Sequence, residues 1–293
     1  MKIYDCFTFF NELELLELRL KILDKYVDHF VIVEMDKTHA GKSKRFIFEE
    51  NKKRFSKYMK KIIYIKAKSP ELNKFYKSKF FDKINKIKFF SVLINRFNLG
   101  RWKLELFQRN QISQGLNNLK KEDIVIVSDL DEIPNPKKFE EMKDYLGKNE
   151  GIIGFQQNLY AFFLNGFIHS NWVGTKATSY EYFCNILKKS AQKLRIQRNI
   201  FLSQTSKNLK IIKNGGWHFT YLGNLDKLVE KMNSVSEGLQ NTSSRGRGYV
   251  QKMIDHGKFF DTGRKIKYQK SLEDLPDEIK KNPSKWKHLI KKE

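Results

Sequence analysis

The first third of the chain alternates apolar runs of strand length with stretches whose leucines recur at helical spacing, the pattern of a layered βα sheet. Residues 3–10 form the first apolar run. Asn11 follows as a predicted N-cap, with Glu14 three residues on completing a capping box. The helix behind it carries Leu13, Leu16, Leu20 and Leu23 on one face. Residues 29–34 predict a second strand that ends in a carboxylate, Glu34, and residues 62–66 a third. A helix over 104–119 places Ile112, Leu116 and Leu119 together. After the polar Lys121-Glu122-Asp123, the run Ile124-Val125-Ile126-Val127 reads as a central parallel strand buried on both faces. Residues 152–156 and 159–164 continue the sheet. The expected fold class is α/β, with a central, mostly parallel sheet flanked by helices.

With 293 residues, 40% hydrophobic and 14% aromatic, the chain can bury a sizeable core. No internal repeat and no Pro/Gly/Ser-rich linker divides it. The simplest organisation is one catalytic domain over 1–265 and a Lys-rich C-terminal extension over 266–293. Residues 70–101 break the βα pattern as a basic, amphipathic helical excursion with the aromatic pairs Phe80-Phe81 and Phe89-Phe90. Cys6 and Cys184 lie far apart, so no disulfide framework is expected, which favours a reducing compartment. The N-terminus reaches polar residues before an h-region could form. Apolar stretches such as 159–164 fall far short of the roughly 20 residues a membrane span requires. A cytoplasmic location is expected.

The formal charge of +24 calls for anionic partners: nucleic acid, an anionic membrane or a phosphorylated substrate. It is concentrated from Lys74 to Lys103, where nine Lys or Arg face the single acid Asp82. A basic nucleic-acid-binding protein is therefore the rival class of function, although the chain carries no recognised nucleic-acid motif. The same charge would also serve peripheral contact with the inner face of an anionic membrane.

Chemistry concentrates in Ser128-Asp129-Leu130-Asp131-Glu132-Ile133-Pro134. Carboxylates just beyond a buried parallel strand stand at the carboxyl edge of the sheet, where α/β folds bind ligands. In extended geometry Asp129 and Asp131 point to one side and can share a cation. Oxygen ligation suits Mg²⁺ or Mn²⁺, which keep positions open for phosphate oxygens. Asp-x-Asp alone is a common loop feature that more often caps helices. The strand before it and the Ile-Pro turn after it raise this pair above that background.

Three blocks of the chain resemble glycosyltransferase family 17, the family of β-1,4-mannosyl-glycoprotein β-1,4-N-acetylglucosaminyltransferase. The first is Tyr4-Asp5-Cys6-Phe7-Thr8-Phe9-Phe10-Asn11-Glu12 with Phe30-Val31-Ile32-Val33-Glu34 and Thr38-His39-Ala40-Gly41-Lys42. The second is Gln108-Arg109-Asn110-Gln111 with the 128–134 segment. The third is Gly216-Trp217-His218-Phe219, with Lys231-Met232 and Gly257-Lys258-Phe259-Phe260-Asp261 behind it. The resemblance implies a GT-A (Rossmann-like) glycosyltransferase fold, a UDP-sugar donor with UDP-GlcNAc as the default, a divalent metal (Mn²⁺ or Mg²⁺) and an inverting transfer of the sugar to a glycan hydroxyl. With no membrane anchor in view, the acceptor is expected to differ from secreted glycoprotein. A cell-surface polysaccharide, lipopolysaccharide or glycolipid fits better.

The resemblance also distributes roles. Asp131 would bind the metal, and Asp129 the metal shell or the donor ribose. His218 would be a third metal ligand or a diphosphate contact, and its bland alternative is a packed histidine. Glu34 would accept hydrogen bonds from uracil or ribose, and Phe7 and Asn11 would line the uracil slot. Lys42 and Arg109 would pair with the diphosphate, Arg109 through its fork. Trp217 would stack on a sugar face, although core packing explains it as easily. Inversion needs a general base. Glu181, Asp226 and Glu237 are the candidates, and each also reads as a plain surface acid.

Overall fold

A computed structural model describes residues 1–71, 101–197, 208–234, 246–259 and 262–292. Its strands are β1 (Ile3–Phe9), β2 (His29–Met35), β3 (Ile62–Ala67), β4 (Ile124–Asp129), β5 (Glu132–Pro134), β6 (Ile152–Ala161), β7 (Gly166–Ser179), β8 (Leu209–Thr220) and β9 (Lys267–Tyr268). The helices are α1 (Leu13–Leu23), α2 (Ile47–Glu50), α3 (Arg101–Asn110), α4 (Phe139–Leu146), α5 (Tyr180–Asn185), α6 (Ala191–Arg195), α7 (Leu225–Ser234), α8 (Arg247–Asp255), α9 (Asp277–Lys281) and α10 (Pro283–Trp286).

All nine strands belong to one sheet of order β3-β2-β1-β4-β7-β6-β8-β5, with β9 paired to β7. Strands β1 to β4 are mutually parallel. Strand β7 is antiparallel to both β4 and β6, and β5 is antiparallel to β8, while β6 and β8 run parallel. The architecture is α/β as expected, but the sheet is mixed rather than mostly parallel. The reason is local: β6 passes into β7 through a short connection, and so short a link permits only antiparallel pairing, since parallel pairing needs a long crossover.

Alternation along the parallel strands feeds two cores. Ile3, Phe7, Phe9, Phe30, Ile32, Ile124 and Ile126 face one side, where Leu16, Leu20 and Leu23 of α1 and Met142 of α4 pack on them. Tyr4, Cys6, Val31, Val33, Val125 and Val127 face the other side, with Leu104 of α3, Ile112, Phe183 of α5 and Leu194 of α6. This double burial explains why β2 and β4 read as continuous apolar runs. Both cysteines are free, Cys6 inside the second core.

One polar interaction crosses the first core. Asp5 of β1 and Arg19 of α1 are both fully buried. Arg19 donates from Nε and Nη2 to the two Asp5 oxygens at 2.8 and 2.6 Å. Its Nη2 also donates to Ser128 Oγ at 2.6 Å, and its Nη1 reaches the carbonyls of Asp129, Leu130 and Glu132 at 3.0–3.1 Å. The guanidinium lies 4.4 Å from the centre of the Phe7 ring. Every N–H of the fork thus has an acceptor, which is what makes a buried arginine tolerable.

Several expectations change. The capping box at Asn11 does not form: α1 begins at Leu13 without a side-chain cap, and Glu14 instead meets Lys227 and His288. The two apolar segments of 152–164 join into one strand, β6, with register shifts at Gly154/Gln156 and Gln157/Leu159. The helix over 104–119 ends at Asn110 and continues as a 3₁₀ turn, Gln111–Gly115. The Lys-rich C-terminal segment packs onto the catalytic domain, with Leu275, Ile279, Trp286 and Leu289 buried in the first core. Its apolar residues recur between lysines, so the charge hid an amphipathic pattern. The basic stretch lies outside the described residues for positions 72–100. No described helix is long and apolar enough to cross a membrane.

Replacing Arg19 by Met strands a buried carboxylate and should cost about 3–5 kcal/mol of stability. Urea denaturation measures this, and the double substitution Arg19→Met/Asp5→Leu should recover part of the loss because the two residues are coupled.

Candidate active site

Asp129 closes β4, and Leu130 and Asp131 form the turn that leads into β5. Arg19 gathers the carbonyls of that turn from beneath, so the chain bends there. The two aspartates consequently take different partners and do not behave as an extended pair sharing one cation.

Asp129 Oδ1 accepts from Arg109 Nη2 at 2.8 Å and Oδ2 from Arg195 Nη2 at 3.1 Å. Arg109, on α3, also donates to Glu105 at 3.0 Å and to Gln192 at 2.5 Å. Arg195, at the end of α6, also donates to Glu132 Oε1 at 2.6 Å. Asp131 faces the other way. Its Oδ2 accepts from Lys231 Nζ of α7 at 2.8 Å, and its Oδ1 stands 3.5 Å from His218 Nε2 of β8. Lys231 Nζ also lies 3.1 Å from Glu12 Oε1.

Strand geometry sets His218 in place. β5 pairs with β8 so that Glu132 lies opposite His218 and Ile133 opposite Trp217. Gly216, with φ of 141°, lets the two strands approach: a Cβ there would fall 2.2 Å from the Ile133 carbonyl oxygen. On β7, Gly174 leaves the space that the Glu132 carboxylate occupies, since a Cβ there would lie 2.0 Å from Glu132 Oε1. The same Glu132 oxygen accepts from Trp172 Nε1 at 2.8 Å, and the Trp172 ring lies 4.7 Å from that of His218.

Burial pushes both aspartates toward the neutral form, but the neighbouring charges prevail. Arg109 and Arg195 hold Asp129 well below the usual carboxylate range, and Lys231 with His218 does the same for Asp131. For Lys231 desolvation disfavours the charge, yet Asp131 and Glu12 keep it protonated far above the ordinary lysine value. Asp129, Asp131 and Lys231 are therefore charged at neutral pH.

Arg109 and His218 lie beside the aspartates. Others do not. Glu34 is buried and accepts from Lys44 Nζ at 2.5 Å, from the backbone N–H of Ile47 and Phe48 at 2.6 and 3.0 Å, and from Tyr64 Oη at 2.7 Å. It caps the start of α2 and has no capacity left for uracil or ribose. Phe7 is buried against Arg19 and lines no open slot. Trp217 points to the opposite face of β8 from His218 and donates to the Asp274 carbonyl at 2.6 Å, which removes it from sugar stacking.

The candidate bases separate as well. Glu181 sits at the opposite end of β4, where its backbone N–H donates to the Lys121 carbonyl and its side chain pairs with Lys121. That end lies about 17 Å from Asp129 at the rise of an extended strand. Asp226 is exposed and paired with Arg247. Glu237 lies outside the described residues. Asn11 lines a pocket together with Glu12 and Lys231, and Lys42 is exposed on the turn whose Ala40 N–H donates to the Ser234 carbonyl of α7. Both remain at the rim of the site.

The sequence reading missed Arg195, Trp172, Glu12 and the role of Lys231. All four reach the site from elements distant in the chain, and Lys231 signalled itself only by its place in the third block.

Among the described residues no group of three or more His, Cys, Asp and Glu is arranged to hold a metal ion. A two-ligand set is present. Asp131 Oδ1 has no nearer partner among the described residues than His218 Nε2, and the buried His218 Nδ1 has no hydrogen-bond partner. One carboxylate and one imidazole fit Mn²⁺ or Mg²⁺ where phosphate oxygens complete the shell. Asp129 does not belong to that set, because both its oxygens are engaged by arginines.

Comparison with known proteins fixes the class. The protein is a glycosyltransferase: residues 1–101, which carry β1, α1, β2 and β3, match a family model of such enzymes. That model is of glycosyltransferase family 17 and spans about a third of the chain. The matched segment ends ahead of Asp129. No curated protein matches the chain. Among solved structures it is similar to 4-diphosphocytidyl-2C-methyl-D-erythritol synthase from Anaerococcus prevotii, at 12% identity over 72% of this chain and 86% of that one, with a TM-score of 0.36. It is also similar to mouse xyloside xylosyltransferase 1 in its apo form, at 11% identity over 66% and 73% of the two chains, with a TM-score of 0.29.

If Glu34 is a cap and not a donor ligand, Glu34→Gln should lower stability by about 1–3 kcal/mol. UDP affinity, measured by calorimetry on the same sample, should stay at the parent value.

Proposed function

We propose that the protein transfers a sugar, GlcNAc by default, from a UDP-sugar to a hydroxyl of a glycan or glycolipid, and that it needs Mn²⁺ or Mg²⁺ to do so. The observation that carries this reading is the charge of the cluster. Among the described residues four carboxylates, Glu12, Asp129, Asp131 and Glu132, meet three cations, Arg109, Arg195 and Lys231. The formal excess of negative charge lies on the side of Asp131 and Glu12, and in a largely buried site it repels a diphosphate. A divalent cation at Asp131 and His218 removes that excess and supplies counter-charge to the leaving diphosphate.

The protein's own residues divide the remaining work. Arg109 and Arg195 hold Asp129 and, through Glu132, the start of β5, so the turn is rigid when donor arrives. Gln108 ties the ends of β1 and β2 together by donating to the Phe9 and Val33 carbonyls, and it meets His39 at 2.7 Å. The donor's nucleoside would lie over these strand ends, with Lys42 and Asn11 at the rim. UDP-GlcNAc as the default donor rests on the family-17 resemblance. The net charge of +24 favours an acceptor presented at an anionic surface.

A screen of UDP-sugars by UDP release, with Mn²⁺ or Mg²⁺ supplied, tests the reading. One UDP-sugar should be turned over only with metal present, and Asp131→Ala should lower that rate by about 100- to 1,000-fold. Equal rates in chelator, or full activity in the variant, would refute it.

A further inference from the structure

Lys231 occupies a position that packing alone does not explain. Its side chain is largely buried, at 16% exposed, and it comes from α7, about a hundred positions from the aspartate it meets. An ammonium has three N–H donors. One goes to Asp131 Oδ2 at 2.8 Å, Glu12 Oε1 stands 3.1 Å from the nitrogen as an ion pair, and the Tyr221 ring centre lies 5.5 Å away. No hydrogen-bond acceptor for the others appears among the described residues. Lys231 also lines a pocket with Asn11, Glu12, Leu222 and Lys227.

The carboxylate of Asp131 is shared in a particular way. Lys231 holds Oδ2, while Oδ1 faces His218. A cation on the Oδ1 side and the ammonium on the Oδ2 side would flank the same bound group. Glu12 holds the ammonium through Oε1 and accepts from the Asn11 backbone N–H at 3.2 Å through Oε2.

We infer that Lys231 is the residue that recognises the terminal phosphate of the nucleoside diphosphate, donating an N–H not used by Asp131 to a β-phosphate oxygen and thereby selecting UDP over UMP. The inference rests on the UDP-sugar reading above. It assigns Lys231 a contact with substrate in addition to its structural ion pair. It also accounts for a cation placed where Asp131 and Glu12 alone would need only exposure to water.

The test is calorimetric binding of UDP and of UMP, both in Mn²⁺, to the full chain and to Lys231→Met and Lys231→Arg. The parent should prefer UDP. Lys231→Met should lose about 10- to 100-fold in UDP affinity, as expected for a hydrogen bond between charged groups, and leave UMP affinity unchanged. Lys231→Arg, which keeps the charge, should retain part of the preference, and thermal melts without ligand report whether each variant is folded. Equal losses for UDP and UMP in a folded variant would mean a general electrostatic effect and overturn the inference. An unchanged preference would overturn it as well. A parent protein that binds neither nucleotide in Mn²⁺ would instead refute the UDP-sugar reading itself.

Discussion

The buried pair of Asp5 and Arg19 is the constraint on which the site depends. Arg19 spends its fork on Asp5, on Ser128 and on three carbonyls of the 129–132 turn. A buried guanidinium with even one missing acceptor would be costly, so the turn can adopt only conformations that keep all of these oxygens convergent. That requirement ties α1, β1, β4 and β5 into one unit and separates the partners of Asp129 from those of Asp131. The shape of the active site is thus set from the core side.

Above that clamp the acids divide their tasks by which cations reach them. Asp129 is held by two arginines and serves to brace α3 and α6 against the turn. Asp131 is held by one lysine on one oxygen and keeps the other toward an imidazole. The surplus of negative charge is therefore concentrated where a divalent cation and a diphosphate would meet. In low dielectric such an imbalance carries far more energy than on a surface, which makes it a selective device.

The first half of the fold was legible because β1, β2 and β4 are buried on both faces and read as unbroken apolar runs. The second half was not. β7 and β8 carry Lys176, Thr175, Asn214 and Gly215 within the strands, and Lys176 is buried with its ammonium on the Val173 and Gly174 carbonyls. No period-2 pattern survives such residues. The motif of Asp129 and Asp131 was visible from its strand and turn, and His218 from its glycines. Glu34 misled because the amides it caps lie 13 and 14 residues further along the chain. Arg195 and Lys231 were hidden for a different reason: among 57 Lys and Arg, two that fold inward carry no local mark. The C-terminal segment misled in the same way, its buried Leu275, Ile279, Trp286 and Leu289 masked by the lysines between them.

A crystal grown with UDP and Mn²⁺, measured at the manganese absorption edge, would examine this arrangement at the atom concerned. A single anomalous peak should lie against Asp131 Oδ1 and His218 Nε2, with Arg109 and Arg195 still on Asp129. Manganese bound to Asp129, or UDP bound with no anomalous peak at Asp131, would contradict the account.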